Sequence, residues 1–136
     1  MTRGPGTRAA THRPTVAWLT GSALLVPVLS GATPAASPGE GPVVPRGSAH
    51  LLVLGVWVAV VVFGRRPSPL RTLALCGVLA GPLVVIADAA LATYTGVASH
   101  VAGRDAFAVI AELLRWAGAG LAAGVVALVI LRLGRS

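Results

Sequence analysis

"LRTLALCGVLAGPLVVIADAALATYT", Leu70 to Thr95, runs for 26 residues with only two charges, Arg71 at its start and Asp88 near its end. A helix needs about 20 mainly apolar residues to cross the hydrocarbon of a bilayer. This stretch exceeds that length. It is apolar on all sides, not along one stripe, as a helix facing lipid or a buried core would be. It predicts a membrane-spanning helix, and it poses the question of what holds Asp88 inside it.

The rest of the chain agrees with that reading. Of its 136 residues, 55% are hydrophobic and 11% are charged, against about 25% charged in an ordinary soluble domain. The mean hydropathy is +0.83. Too little polar surface is present to cover a soluble globule of this size. The predicted fold is all-α, a polytopic bundle of four transmembrane helices.

Working outward, "MTRGPGTRAATHRP" (1–14) has no apolar face and is expected to be a disordered tail. The single transmembrane domain then covers 15–134, with spans at about 15–32, 49–64, 70–95 and 107–131. The connection 33–48 is rich in Pro and Gly, which forbids a regular helix. Span two is short unless it begins before Ala49.

The arginines set the orientation. With the N-terminus inside, Arg3, Arg8, Arg13, Arg65, Arg66, Arg71, Arg132 and Arg135 fall on the inner side. Arg46 and Arg104 fall outside, and Arg115 lies within span four. A bias of eight to two in short segments predicts both ends in the cytoplasm of a cytoplasmic membrane. A rival reading takes the first apolar stretch and "SGATPAAS" as a cleaved signal peptide, leaving three spans. All 11 basic residues are Arg, and with abundant Ala, Gly and Val this suggests a bacterial, high-GC origin.

Small residues four apart recur: Gly77 with Gly81, Gly120 with Gly124, and Gly55 with Ala59. Such pairs let membrane helices approach closely. Pro82 and Pro27 each remove a backbone donor, so bends are expected in spans three and one.

Asp88 sits roughly 10 Å below the outer end of its span, Glu112 roughly 9 Å and Arg115 roughly 13 Å below the start of theirs. A short loop joins the two spans, so they are expected to be antiparallel neighbours. A charge at mid-bilayer costs about 2.5–3.5 kcal/mol. One shared network, with Arg115 between Asp88 and Glu112, removes three separate penalties and leaves a residual charge of −1. The candidate binding residues are therefore Asp88, Glu112 and Arg115, with Trp57, Tyr94, His50 and His100 as a possible pocket mouth. Asp88 and Glu112 are the candidate general acids if the protein is an enzyme.

The net charge of +7 does not imply nucleic-acid binding, because the arginines sit at chain ends and connections and form no patch interleaved with aromatics. The single cysteine, Cys76, excludes an intrachain disulfide and a CxxC motif; it reads as a small buried apolar residue. No Walker A, HExxH, GxSxG or dinucleotide loop occurs, and no metal site or cofactor is expected. The expected partners are the lipid bilayer and either another membrane protein or a second copy. Three functions remain open: a non-enzymatic accessory subunit, a proton-coupled transport component, and a small intramembrane enzyme on a lipid-soluble substrate.

Overall fold

The computed structural model describes residues 13–31, 45–65, 68–96 and 106–134. Among them the chain is helical throughout: α1 (Arg13–Ser22), α2 (Leu25–Gly31), α3 (Arg46–Phe63), α4 (Pro69–Thr95) and α5 (Ala106–Leu133). The last three are long and apolar enough to cross a membrane. Between 28% and 39% of each spanning window is buried inside the protein, so most of each helix presents apolar side chains outward. Val78, Ile86, Leu114 and Val125 are all exposed. In water such surfaces would be costly; in lipid they are matched.

Each helix end has a local cause. Proline suits a first turn, where its missing N–H is an orphan anyway, and α4 opens on Pro69. It closes at Gly96, whose left-handed φ of 69° suits a residue without Cβ, and whose N–H bonds the Ala92 carbonyl. Between these ends α4 continues as one helix across Pro82. Helix α3 begins at Arg46, immediately after Pro45. That is three residues before the expected Ala49, so Arg46 belongs to a helix and not to the preceding connection.

The first apolar stretch is not one helix. It breaks at Ala23–Leu24 between α1 and α2. Pro27 accounts for the break. In a continuous helix its N–H would bond the Ala23 carbonyl, and it has none. The Ala23 carbonyl instead accepts from Val26, 3.1 Å, three residues on. The amides of Ala23 and Leu24 likewise turn to Thr20 and Gly21, each at 3.1 Å. The Ser22 hydroxyl donates to the freed Leu19 carbonyl at 2.6 Å and accepts the indole N–H of Trp57 on α3 at 2.9 Å. The break is thus fastened to the bundle. Lower down, the Cys76 thiol on α4 faces the Val16 carbonyl of α1 at 3.9 Å, a weak link that packs α1 against α4.

Helices α4 and α5 form the most extensive pair, and glycine decides it. A Cβ at Gly77 would collide with the Trp116 carbonyl and lie 2.9 Å from Gly120 Cα. A Cβ at Gly120 would lie 2.5 Å from the Leu73 carbonyl oxygen. Gly124 approaches Leu70 in the same way, its would-be Cβ 2.9 Å from Leu70 Cα, whereas Gly81 is looser, its would-be Cβ 3.1 Å from the Leu113 side chain. The contacts of Gly77, Gly120 and Gly124 are backbone-to-backbone approaches that a side chain would prevent. The expected pair on span two differs: Gly55 is exposed and nothing lies within 4 Å of its would-be Cβ.

The core follows helical stripes, with steps of three, four or seven residues. Ala49, Val53, Trp57 and Val61 face inward on α3; Leu73, Cys76, Ala80 and Val84 on α4; Trp116, Ala123 and Ala127 on α5. Each stripe runs on to a charge at the same end of the bundle. One turn beyond Val84 is Asp88; one turn before Trp116 is Glu112; at the head of α3 is Arg46. That convergence positions the candidate site.

Candidate functional site: a charged cluster at one end of the bundle

Asp88 and Glu112 are 5% and 4% exposed. The group that reaches both is Arg46. Its Nη1 lies 3.4 Å from Asp88 Oδ1 and its Nη2 lies 3.3 Å from Glu112 Oε1. One guanidinium on α3 therefore bridges a carboxylate on α4 and another on α5. The fork geometry of arginine, two N–H groups pointing in divergent directions, allows this where a lysine would supply a single point charge. A cation in the first turn of a helix opposes the helix dipole; two facing carboxylates offset that cost.

Arg115 was expected between the two acids, within reach of Asp88, Glu112 or both; the structure gives it Glu112 but not the bridge. Its Nη1 pairs with Glu112 Oε2 at 3.1 Å, three residues along the same helix, and its side chain is 59% exposed. It does not bridge to α4. The reason is angular: residue 115 lies on the flank of the α5 stripe defined by Glu112, Trp116 and Gly120, which are all buried. The expected residual charge of −1 also falls away. Among the described residues, Arg46 and Arg115 balance Asp88 and Glu112.

His50 and Trp116 complete the cluster. His50 follows Arg46 by one turn and its Nδ1 lies 2.7 Å from the Arg46 carbonyl oxygen. Its Nε2 lies 3.7 Å from Glu112 Oε1. The imidazole rests against the Trp116 indole, ring centroids 4.8 Å apart at 34°. Trp116 donates its indole N–H to Glu112 Oε1 at 3.1 Å. Trp57 packs below it, centroids 6.0 Å apart, and reaches Ser22. An aromatic column thus leads from the charged end to the break between α1 and α2.

Of the expected mouth residues, His50 is brought into the cluster and Trp57 stands one layer beneath it. Tyr94 is 90% exposed and takes no part. His100 lies outside the described residues. Sequence reasoning missed Arg46, which a start of span two at Pro45 would have exposed. Among the described residues, no group of three His, Cys, Asp or Glu side chains is placed to hold a metal. Among the described residues, two cavities lie away from the cluster. One, about 510 Å³, opens between α1 and α4 beside Val16, Thr20 and Leu79; the other, about 570 Å³, lies at the far end of α3 and α5 beside Phe63 and Ile130.

No family model, no curated protein and no solved structure matches this chain.

Proposed function

We propose that the chain is an integral protein of the cytoplasmic membrane, crossing it four times with both ends inside. It acts as a non-enzymatic subunit whose charged cluster clasps α3, α4 and α5 together near the outer surface. The observation that carries this reading is the fork of Arg46. It engages both carboxylates, so neither Asp88 nor Glu112 stands as an isolated acid awaiting a substrate. The broken α1–α2 segment supplies the first crossing. Arg65, Arg71 and Arg132 lie at the end of the bundle opposite the cluster, on the inner side by the arginine bias. The outward apolar faces meet lipid or a partner subunit.

Two measurements test it. Reporter fusions at Glu40 and Arg104 should read external, and fusions at Ser68 and Ser136 internal; an external C-terminus overturns the topology. In the native host, a chain carrying Arg46→Gln, Asp88→Asn and Glu112→Gln together should replace the wild type in full when it accumulates to the same level. Normal accumulation with lost function would overturn the subunit reading and make the charges the working parts.

A further inference from the structure

The cavity of about 510 Å³ between α1 and α4 is a groove with two unlike walls. On α4 the wall is Leu75, Leu79 and Leu83, each one turn from the next. On α1 the facing positions are small: Ala17 and Gly21, again one turn apart. A Cβ at Gly21 would meet nothing within 4 Å, so a gap stays open between the two helices. From Leu75 to Leu83 the groove is roughly 12 Å long, close to half of a hydrocarbon core about 30 Å thick. The Thr20 hydroxyl oxygen is buried, and one charge stands among the described lining residues. Arg13, one turn before Ala17, closes one end of the groove.

We propose that this groove holds an anionic phospholipid of the inner leaflet, with one acyl chain between α1 and α4 and the phosphate on Arg13. The inference rests on the topology proposed above, in which α1 enters the membrane from inside. Charge complementarity identifies the occupant. The whole sequence has four acids: Glu40, Asp88, Asp105 and Glu112. By that topology Asp88 and Glu112 belong to the cluster at the outer end, and Glu40 and Asp105 to the connections on that side. No acidic side chain is left on the inner side to answer Arg13, or Arg71, which stands one turn before Leu75 on α4. Among the described residues neither arginine makes an ion pair. A guanidinium fork matches the oxygens of a phosphate, and basic sites between membrane helices on the cytoplasmic side suit anionic headgroups. The apolar lining selects a lipid chain over a peptide. An extended peptide would bury backbone N–H and carbonyl groups against leucine with nothing to bond, whereas an acyl chain needs no polar partner.

The test uses the full chain in detergent, with bound lipid measured by native mass spectrometry. Phosphatidylglycerol and phosphatidylcholine of identical acyl chains are the two probes. Phosphatidylglycerol should bind the wild type at least about tenfold more tightly, and Arg13→Gln should abolish that preference. Gly21→Leu, whose side chain enters open space, should fill the groove and weaken both lipids by about tenfold. Arg65→Gln, at the other cavity beside Phe63, should change neither by more than about twofold. Equal losses at Arg13 and Arg65 would overturn the proposal, leaving a general attraction of positive charge for the anionic lipid. Unaltered lipid binding in Gly21→Leu would do the same. So would a lipid-free dimer that Gly21→Leu takes apart, which seats a second copy in the groove. The two readings fail separately. External chain ends with the Arg13-dependent preference intact remove the topology and keep the lipid site. Internal ends with no preference between the lipids remove the site and keep the topology.

Discussion

Arg46 and Glu112 are 66 residues apart in the chain and 3.3 Å apart in space. Between them in sequence lies Asp88, on the other arm of the same guanidinium at 3.4 Å. Three helices are tied at one end by one side chain.

Arg46→Ala should therefore be the most damaging single change in the cluster. It removes the guanidinium that two buried carboxylates share, and breaking a buried pair costs about 3–5 kcal/mol. Adding Asp88→Asn and Glu112→Gln should recover much of that loss, because the two charges that faced the guanidinium go with it. Arg115→Ala, in contrast, removes an exposed partner and should cost about 0–1 kcal/mol. Denaturant or thermal unfolding in detergent separates the four proteins. Equal losses at Arg46 and Arg115 would contradict the assigned roles.

The α4–α5 crossing gives a second contrast. Gly77→Ala and Gly120→Ala each drive a methyl into opposing backbone and should destabilise by about 1–3 kcal/mol or more. Gly55→Ala meets open space and should be neutral within about 0.5 kcal/mol. Comparable losses at all three positions would mean that the helices do not meet on these glycines.

The break between α1 and α2 is assigned to Pro27. Pro27→Ala restores an N–H facing the Ala23 carbonyl and should join the two helices. Amide exchange at Ala23 and Leu24 should then slow by at least about tenfold, equivalent to about 1.4 kcal/mol of added protection. Trp57→Phe should leave the break in place but loosen its attachment, since the Ser22 hydroxyl loses its indole donor. Unchanged exchange in Pro27→Ala would assign the break to the packing of Ser22 against Trp57 instead.

The sequence alone determined the helical class, the two longest apolar segments and the glycines of the α4–α5 crossing. These are properties of runs and spacings: 26 residues from Leu70 to Thr95 are long enough to cross, and Gly77 and Gly81 lie one turn apart. It also singled out Asp88 and Glu112, because an acid in an apolar run must be accounted for locally. Which cation answers them was decided by tertiary structure. Depth arithmetic compares residues along neighbouring spans, and by that measure Arg115 was as close as any. Side-chain direction is set by helix rotation, which turns Arg115 outward and brings Arg46 inward from a helix 42 residues upstream of Asp88. A signal for Arg46 did exist: a span beginning at Ala49 is too short, and extending it to Pro45 puts Arg46 and His50 on one face. The contacts of His50 had no such signal. They are a carbonyl 2.7 Å away on one side and a carboxylate 3.7 Å away on the other, and distances of that kind arise only when the helices have docked.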